Sequence, residues 1–380
     1  MSPPFVVVKD TIYPYTTDVT LTLQLRLLPT TKQGAQLRST MRAFNGAATY
    51  AAHAGFEVGV FSQPSIHKRC YYDLRGKFGL SSQMAVRAIG KAVECFQRDK
   101  TVCPVFRPDG AMTYDERLMS FKGVDTVSLL TLEGRERVPL IYGEYQRERF
   151  DRMKGQVDLV LRDGRFYLYA SIQIPDGAPI EPTDFLGVDL GIVNLATDSD
   201  GTTYTGAAVE RVRRKHAKQR RALQRRNTRG AKKKLTRIAQ KESHFRRHEN
   251  HRISKQIIQT AKDTARGIGV EELTYIRSRT TVRRTHRNRQ GGWAFAQLRS
   301  FIEYKAQLAG VRVVAVDPRN TSRTCSQCGH CETANRRSQA DFRCLHCGSS
   351  TSADFNAARN IAFRAQAARK PASELPGLAA

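Results

Sequence analysis

Cys325, Cys328, Cys344 and Cys347 fall in the pattern C-x2-C-x15-C-x2-C, and a glycine follows each pair, at Gly329 and Gly348. Four thiolates at this spacing are the signature of a zinc ribbon, because one ion tied to all four closes a loop of set size between two tight knuckles. Four protein ligands leave no open coordination position, so the expected Zn²⁺ is structural and not catalytic. A disulfide set would require an oxidising compartment, of which the sequence carries no sign. Cys331, His330 and His346 lie close by, but each breaks the symmetry of the two pairs and is left out of the ligand set. Cys70, Cys95 and Cys103 read as ordinary buried thiols.

Charge is the second constraint. The 380 residues hold 63 Lys and Arg against 35 Asp and Glu, a formal net charge of +28. Residues 1–180 carry 24 basic and 18 acidic side chains, whereas 211–255 alone carry 19 basic residues against Glu242 and Glu249. That stretch has no proline, one glycine at Gly230, and sparse apolar residues at Val212, Leu223, Leu235, Ile238 and Phe245. The pattern predicts two basic helices broken near 227–230, too polar to form a core alone. Mixed charges usually mean a solvated face, but one sign at this density repels itself and calls for a polyanion. Nucleic acid is the expected partner, held through phosphates and therefore without sequence preference. The expected contacts are Arg211, Arg213, Arg214, Lys215, Arg220, Arg221, Arg225, Arg226, Lys232 and Lys233.

A membrane surface would instead require a basic helix with a wide apolar face, and none is visible. No run of roughly 18 apolar residues is present to span a bilayer. The opening MSPPFVVVKD has no basic segment leading into an apolar one, so no secretory signal is expected and the chain is assigned to the cytoplasm. A hydrophobic content of 40% is sufficient for a folded core.

Strands are predicted at 5–9 and 20–28, followed by a turn into a helix on which Leu37, Met41, Phe44 and Ala48 recur at helical spacing. A further helix over 82–97 aligns Ala85, Ala88, Ile89, Ala92, Val93 and Phe96 on one face. Strands follow at 126–132, 156–162 and 165–174, the last two joined by the hairpin signal Asp163–Gly164. The polar, proline-containing stretch 175–183 reads as a linker.

Three acids stand out. In FLGVDLGIVNLATDSDG, period two puts Leu186, Val188 and Leu190 on one face and Gly187, Asp189 and Gly191 on the other. The flanking glycines are expected to leave room for a metal ion and a phosphate backbone. RGIGVEEL repeats the device, and its alternation selects Glu271 over Glu272 as the open-face acid. Asp354 falls in the first turn of a helix capped by Thr351 or Ser352, with Ala357, Ala358 and Ile361 small enough to let that helix lie close to a sheet. Each acid alone has a structural explanation. Together they suit phosphodiester hydrolysis with two Mg²⁺ ions about 3.5–4 Å apart, since hard cations favour carboxylate oxygens.

The order of these elements resembles the RuvC-like nuclease of transposon-encoded TnpB proteins and of their relatives, the compact type V (Cas12) effectors. The residues that carry the resemblance are GVDLGIVNLAT, VEEL after a basic hairpin, the two CxxC pairs and ADFNAARNI; 184–364 match specifically and the N-terminal half more loosely. The resemblance implies an α+β multidomain fold. Its parts are an oligonucleotide-binding β-barrel (wedge, 1–30 and 111–180), a helical recognition lobe (31–110), a ribonuclease-H-like RuvC nuclease (181–320 and 351–366) with a basic hairpin at 206–260, an inserted zinc ribbon that binds target nucleic acid (321–350), and a disordered tail (367–380).

It further implies that Asp189, Glu271 and Asp354 bind the Mg²⁺ ions and catalyse. Cys325, Cys328, Cys344 and Cys347 hold zinc, and cleavage leaves a 5′-phosphate and a 3′-hydroxyl. The implied partners are a guide RNA (an omega RNA or a crRNA) and target double-stranded DNA, bound by a monomeric ribonucleoprotein in the prokaryotic cytoplasm and on the nucleoid, without a membrane. Base pairing reads the target while the protein reads a short adjacent motif. By analogy Ser82, Gln83, Arg87 and Lys91 face that motif and Arg323 approaches the scissile phosphate, while 277–289, with six arginines and no acid, reads as a mobile basic loop beside the active site. Two alternatives stay open: a nuclease-inactive RNA-guided repressor, and a DDE-type transposase, which the ribbon between the second and third acids fits poorly.

Overall fold

The computed structural model describes residues 18–272, 295–338 and 340–368. The expected strand at 5–9, the loop at 277–289 and the tail from 369 lie outside the described residues. The described residues divide into two compact units, 20–174 and the rest from 175 onward with Asp18 and Val19.

In the first unit three helices follow strand β1 (Asp18–Leu27): α1 (Thr31–Phe56), α2 (Gln63–Phe78) and α3 (Ser82–Arg98). Thr30 and Gln33 form a reciprocal capping box at the start of α1, and Ser62 and Ser81 cap the other two. The α2 helix stops at Gly79, whose φ of 65° is the left-handed conformation that terminates helices. Ala47, Ala48, Ala51 and Ala52 of α1 and Ala85, Ala88 and Ala92 of α3 are buried, so small side chains let the helices approach closely. Sequence periodicity located α1 and α3 but not α2, whose buried residues are only Ile66, Cys70 and Leu74.

The same unit contains β2 (Met112–Tyr114), β3 (Met119–Lys122), β4 (Thr126–Thr131), β5 (Gly134–Ile141), a single turn α4 (Glu144–Arg147), β6 (Met153–Arg162) and β7 (Arg165–Pro175). Asp163 (φ 52°) and Gly164 (φ 74°) make the turn between β6 and β7 that the sequence predicts. The seven strands run in the order β2-β6-β7-β1-β5-β4-β3. Edge strands β2 and β3 are adjacent in sequence, separated by 115–118 alone, so the sheet must curl until its edges nearly meet. The Tyr114 hydroxyl of β2 donates to the Leu130 carbonyl of β4 (3.0 Å) across that gap.

The second unit is built on a five-stranded sheet in the order β10-β9-β8-β11-β12. Strands β8 (Phe185–Asp189), β9 (Asn194–Asp198) and β10 (Thr203–Thr205) form an antiparallel meander, and β11 (Gly267–Glu271) and β12 (Val313–Val316) run parallel to β8. Leu186, Val188, Ile268 and Val270 share a core with Ile253 and Ile257 of α6 (Arg229–Asp263) and with Leu298 and Ile302 of α7 (Phe295–Ala309). On the opposite face α8 (Ala353–Ala367) lies across β8 and β11. The expected linker at 175–183 is not free chain, because the Gly177 amide donates to the Gln307 carbonyl and the Ile180 amide to that of Gly310.

The basic stretch forms α5 (Ala207–Arg226) and the 35-residue α6, separated at Asn227 (φ 45°) with Thr228 capping the second helix. Leu223, Ala231 and Ile238, with Leu235, give the hairpin a small apolar seam of its own. The ribbon strands β13 (Asp341–Arg343) and β14 (Ser350–Ser352) pair antiparallel between β12 and α8.

Candidate metal and nucleic-acid sites

Asp189 ends β8 and Glu271 ends the adjacent parallel strand β11, so both carboxylates emerge at the same end of the sheet. Asp354 enters from α8, in the first turn after the Ser352 cap. Burial, and then the charges of Glu271 and Asp354, hold the Asp189 carboxyl well above the usual carboxylate range; burial also raises that of Glu271. The protein has thus drawn three negative groups together with too little positive charge to balance them.

The glycines beside the acids have a different use from the one expected. A Cβ at Gly187 would stand 2.0 Å from the Ala358 carbonyl oxygen, and one at Gly269 2.8 Å from the Ala365 Cβ. The space is occupied by the backbone of α8, not reserved for a metal or phosphate. The glycines allow Asp354 to reach the other acids, with Ala358 and Ile361 on the contacting face.

Neighbouring side chains orient two of the acids. Asn194 Nδ2 donates to Asp354 Oδ2 (2.8 Å), and the Thr321 hydroxyl to Glu271 Oε1 (2.5 Å). The positive charge of Arg336 acts on both Asp189 and Glu271, and that of Arg364 on Glu271. Glu272 is occupied elsewhere: Arg299 grips both its oxygens at 2.8 Å, takes Glu303 at 2.7 Å and donates to the Glu271 carbonyl at 3.2 Å. Sequence reading had selected Glu271 but missed Asn194, Thr321, Arg299, Arg336 and Arg364. Asn194 lay inside a motif already singled out; the others carry no periodicity or spacing that marks them.

The four ribbon cysteines bring their sulfurs within 4.8 Å of one another. Cys325 and Cys347 are 3.7 Å apart and Cys328 and Cys344 3.5 Å. Tetrahedral coordination at a Zn–S distance near 2.3 Å requires sulfur separations of about 3.8 Å, so the donor set fits zinc in identity and spacing. Gly329 and Gly348 both adopt φ of 75°, the left-handed turn that a knuckle requires. Among the described residues this is the one group of three or more His, Cys, Asp or Glu ligands gathered so tightly. The three carboxylates are not gathered to that distance. The hard oxygens of all three, and the raised proton affinity of Asp189 and Glu271, suit divalent cations. Cys331 is exposed and His330 instead faces Glu332 at 3.2 Å.

On the basic hairpin Arg211, Arg214, Lys215, Arg221, Arg225, Arg226, Lys232 and Lys233 are exposed. Arg213 and Arg214 pair with Glu210, and Arg220 with Glu242 at 2.6 Å. Arg323 is exposed at the ribbon entry. Of the four residues expected at the adjacent motif, Ser82 is exposed and the other three have partners inside the chain. Gln83 and Arg87 bond Asp115, and Lys91 bonds Asn45 (2.6 Å) and the Ala111 carbonyl while standing 4.9 Å from the Phe106 ring centre. Among the described residues no helix is long and apolar enough to cross a membrane.

Residues 170–289 match the OrfB family of IS605 elements, described as a probable transposase, and 295–361 match the Cas12f1-like TNB domain. The chain is 34% identical over 220 residues to the CRISPR-associated endodeoxyribonuclease Cas12f1 of Sulfoacidibacillus thermotolerans, covering 53% of this chain and 51% of that protein. It therefore spans about half the length of that relative. It is also 27% identical over 271 residues to the TnpB-like protein MJ0751 of Methanocaldococcus jannaschii, covering 66% of this chain and 94% of that one. Among solved structures, the chain described as a Cas12f1–sgRNA–target DNA complex shares the fold, with a TM-score of 0.58 at 15% identity over 91% of this chain and 99% of that one.

Proposed function

We propose that the chain, whose residues 170–289 match the OrfB family of IS605 elements and whose residues 295–361 match the Cas12f1-like TNB domain, is an RNA-guided DNA endonuclease. It uses a bound guide RNA to select matching double-stranded DNA beside a short motif and hydrolyses the phosphodiester with Mg²⁺. The observation that carries this reading is the meeting of Asp189, Glu271 and Asp354 from two parallel strands and the first turn of a helix, with an excess of negative charge that divalent cations would relieve.

The strand order, with a meander followed by two parallel strands, supports a ribonuclease-H-like nuclease domain. The curled seven-stranded sheet and its three helices support a wedge barrel with a recognition lobe.

When bound, a pair of divalent ions would supply an activated water and a stabilised leaving oxygen. Asp189, Glu271 and Asp354 would hold those ions. Asn194 and Thr321 hold those two carboxylates in orientation. Arg336 offsets part of the negative charge of Asp189 and Glu271. The exposed row on α5 and α6 binds the nucleic-acid backbone by displacing its counterions. Cys325, Cys328, Cys344 and Cys347 would hold a structural zinc, which would tie together the segment that joins β12 to α8 and carries the chain to Asp354.

The test is cleavage of guide-matched DNA by ribonucleoprotein purified with its co-expressed RNA. Asp189→Ala and Glu271→Gln should lower the rate by at least about 100-fold, since each removes a ligand to the ions that carry the chemistry, and should leave RNA binding intact. Undiminished cutting by either variant would refute the assignment. Joining of 3′ ends into a target without RNA would instead favour a transposase.

A further inference from the structure

The ribbon and the carboxylate site meet at one side chain. Thr321 is 3% exposed and lies in the segment between β12 and Cys325. Its Oγ1 stands 2.5 Å from Glu271 Oε1 and 3.0 Å from the Pro318 carbonyl oxygen. A threonine hydroxyl has one proton to donate. The shorter contact, to a group that ionises, takes it, and a charge-assisted bond results.

Thr321 is itself held from α8. Asn360 Nδ2 donates to the carbonyls of Thr321 (2.8 Å) and Thr324 (2.7 Å). Asn356 Nδ2 donates to the Thr324 carbonyl (2.8 Å), and its Oδ1 accepts the Ser326 amide (3.0 Å). Within the ribbon Asn335 donates to the carbonyls of Arg323 and His330 and accepts the Leu345 amide. These three asparagines are at most 7% exposed. A run of buried bonds therefore leads from the residues flanking Cys325 and Cys344 to Glu271, and it passes along the helix that carries Asp354.

We propose that Thr321 is a positioning residue, through which the folded ribbon orients Glu271 and sets the divalent-cation affinity of the carboxylate site. The proposal rests on the carboxylate-site reading above. Tethering Oε1 limits the rotation of the glutamate head beside Asp189. Untethered, the head would turn away from the like charges of the site, because Asp317 and Asp189 both repel it. Groups of this kind, one bond removed from a metal, typically change affinity by about 10–100-fold when lost.

The experiment measures Mn²⁺ binding to the full chain by the disappearance of the free-ion electron paramagnetic resonance signal, with zinc content and unfolding midpoint recorded for every variant. Thr321→Val keeps the shape and removes the donor, and it should weaken Mn²⁺ binding by about tenfold at unchanged zinc content. Thr321→Ser keeps the donor and should restore affinity. Asn360→Ala releases the Thr321 carbonyl but spares the hydroxyl. It should also weaken Mn²⁺, so the proposal remains testable if the valine variant does not fold. Wild-type Mn²⁺ affinity in either folded variant, or a serine variant as weak as valine, overturns the proposal. Wild-type binding by Asp189→Asn would overturn the carboxylate-site reading itself.

Discussion

Replacing Gly187 by alanine adds one methyl group, and the structure predicts a large effect. Its Cβ would lie 2.0 Å from the Ala358 carbonyl oxygen and 2.4 Å from the Ala362 nitrogen, both backbone atoms of α8. Real Cβ atoms essentially never come within 3.0 Å of such neighbours, so α8 must retreat by about 1 Å. A backbone helix lacks the freedom of a flexible side chain. The cost falls at the upper end of the overpacking range, about 3 kcal/mol, or over 100-fold in the folding equilibrium. Function suffers separately, because Asp189 lies two residues along β8 and Asp354 one turn before Ala358 on the retreating helix. A displacement near 1 Å between reacting groups costs on the order of 100-fold in rate. The assay is a urea unfolding midpoint by circular dichroism, paired with guided cleavage at saturating Mg²⁺. Gly269→Ala should be milder, since its Cβ meets the Ala365 Cβ at 2.8 Å and the Ile361 carbonyl oxygen at 3.1 Å. Gly230→Ala, in α6 with nothing within 4 Å, should stabilise by up to about 1 kcal/mol. A Gly187→Ala protein with wild-type midpoint and rate would refute the claim that this glycine exists for helix approach.

Three further outcomes are expected. Asp189 and Glu271 bind protons more tightly in the folded chain than in the unfolded one, so their stabilising contribution is present below the ordinary carboxylate pKa of about 4 and is lost as pH rises through the elevated value. Without divalent ions, the unfolding midpoint of wild type relative to Asp189→Asn should therefore fall with rising pH, and Mg²⁺ should remove the decline; a flat difference would contradict the charge crowding. Cys344→Ser should reduce the zinc content from one ion per chain to near zero, since structural zinc of this type contributes on the order of 10 kcal/mol, and retained stoichiometric zinc by atomic emission would point to another ligand set. Replacing Arg221, Arg225 and Lys232 together by alanine should lower the slope of log affinity against log salt for single-stranded RNA by about 2, and an unchanged slope would remove the hairpin from the interface.

Much of the candidate site could be read from local pattern. Period two on β8 and β11 separated Asp189 and Glu271 from the apolar face, and the helix cap located Asp354 in a first turn. The basic helices and their break were equally visible, because helix formation and interruption at Asn227–Thr228 are local events. Elements without a strong pattern escaped notice. Helix α2 buries three side chains, and β2 and β3 are three and four residues long, too short for alternation to register. The glycines were recognised as marking close approach, but the approaching group was misidentified. Nothing within eight residues of Gly187 indicates that α8, more than 160 residues later, will lie against it.

The amino-acid order alone determined the properties that depend on near neighbours: the cysteine knuckles, the alternation that exposes particular acids, the caps, and a density of one sign of charge that requires an anion. Tertiary structure alone decided which partner each group takes. Lys91 and Arg87, expected by analogy to face the adjacent motif, bond Asn45 and Asp115 instead, whereas Glu271 and Glu272, adjacent in the chain, receive a threonine hydroxyl and an arginine respectively. The physical reason is range. Backbone conformation follows from contacts over a few residues, but the desolvation and charge that make a carboxylate fit to hold a cation come from segments that only packing brings together.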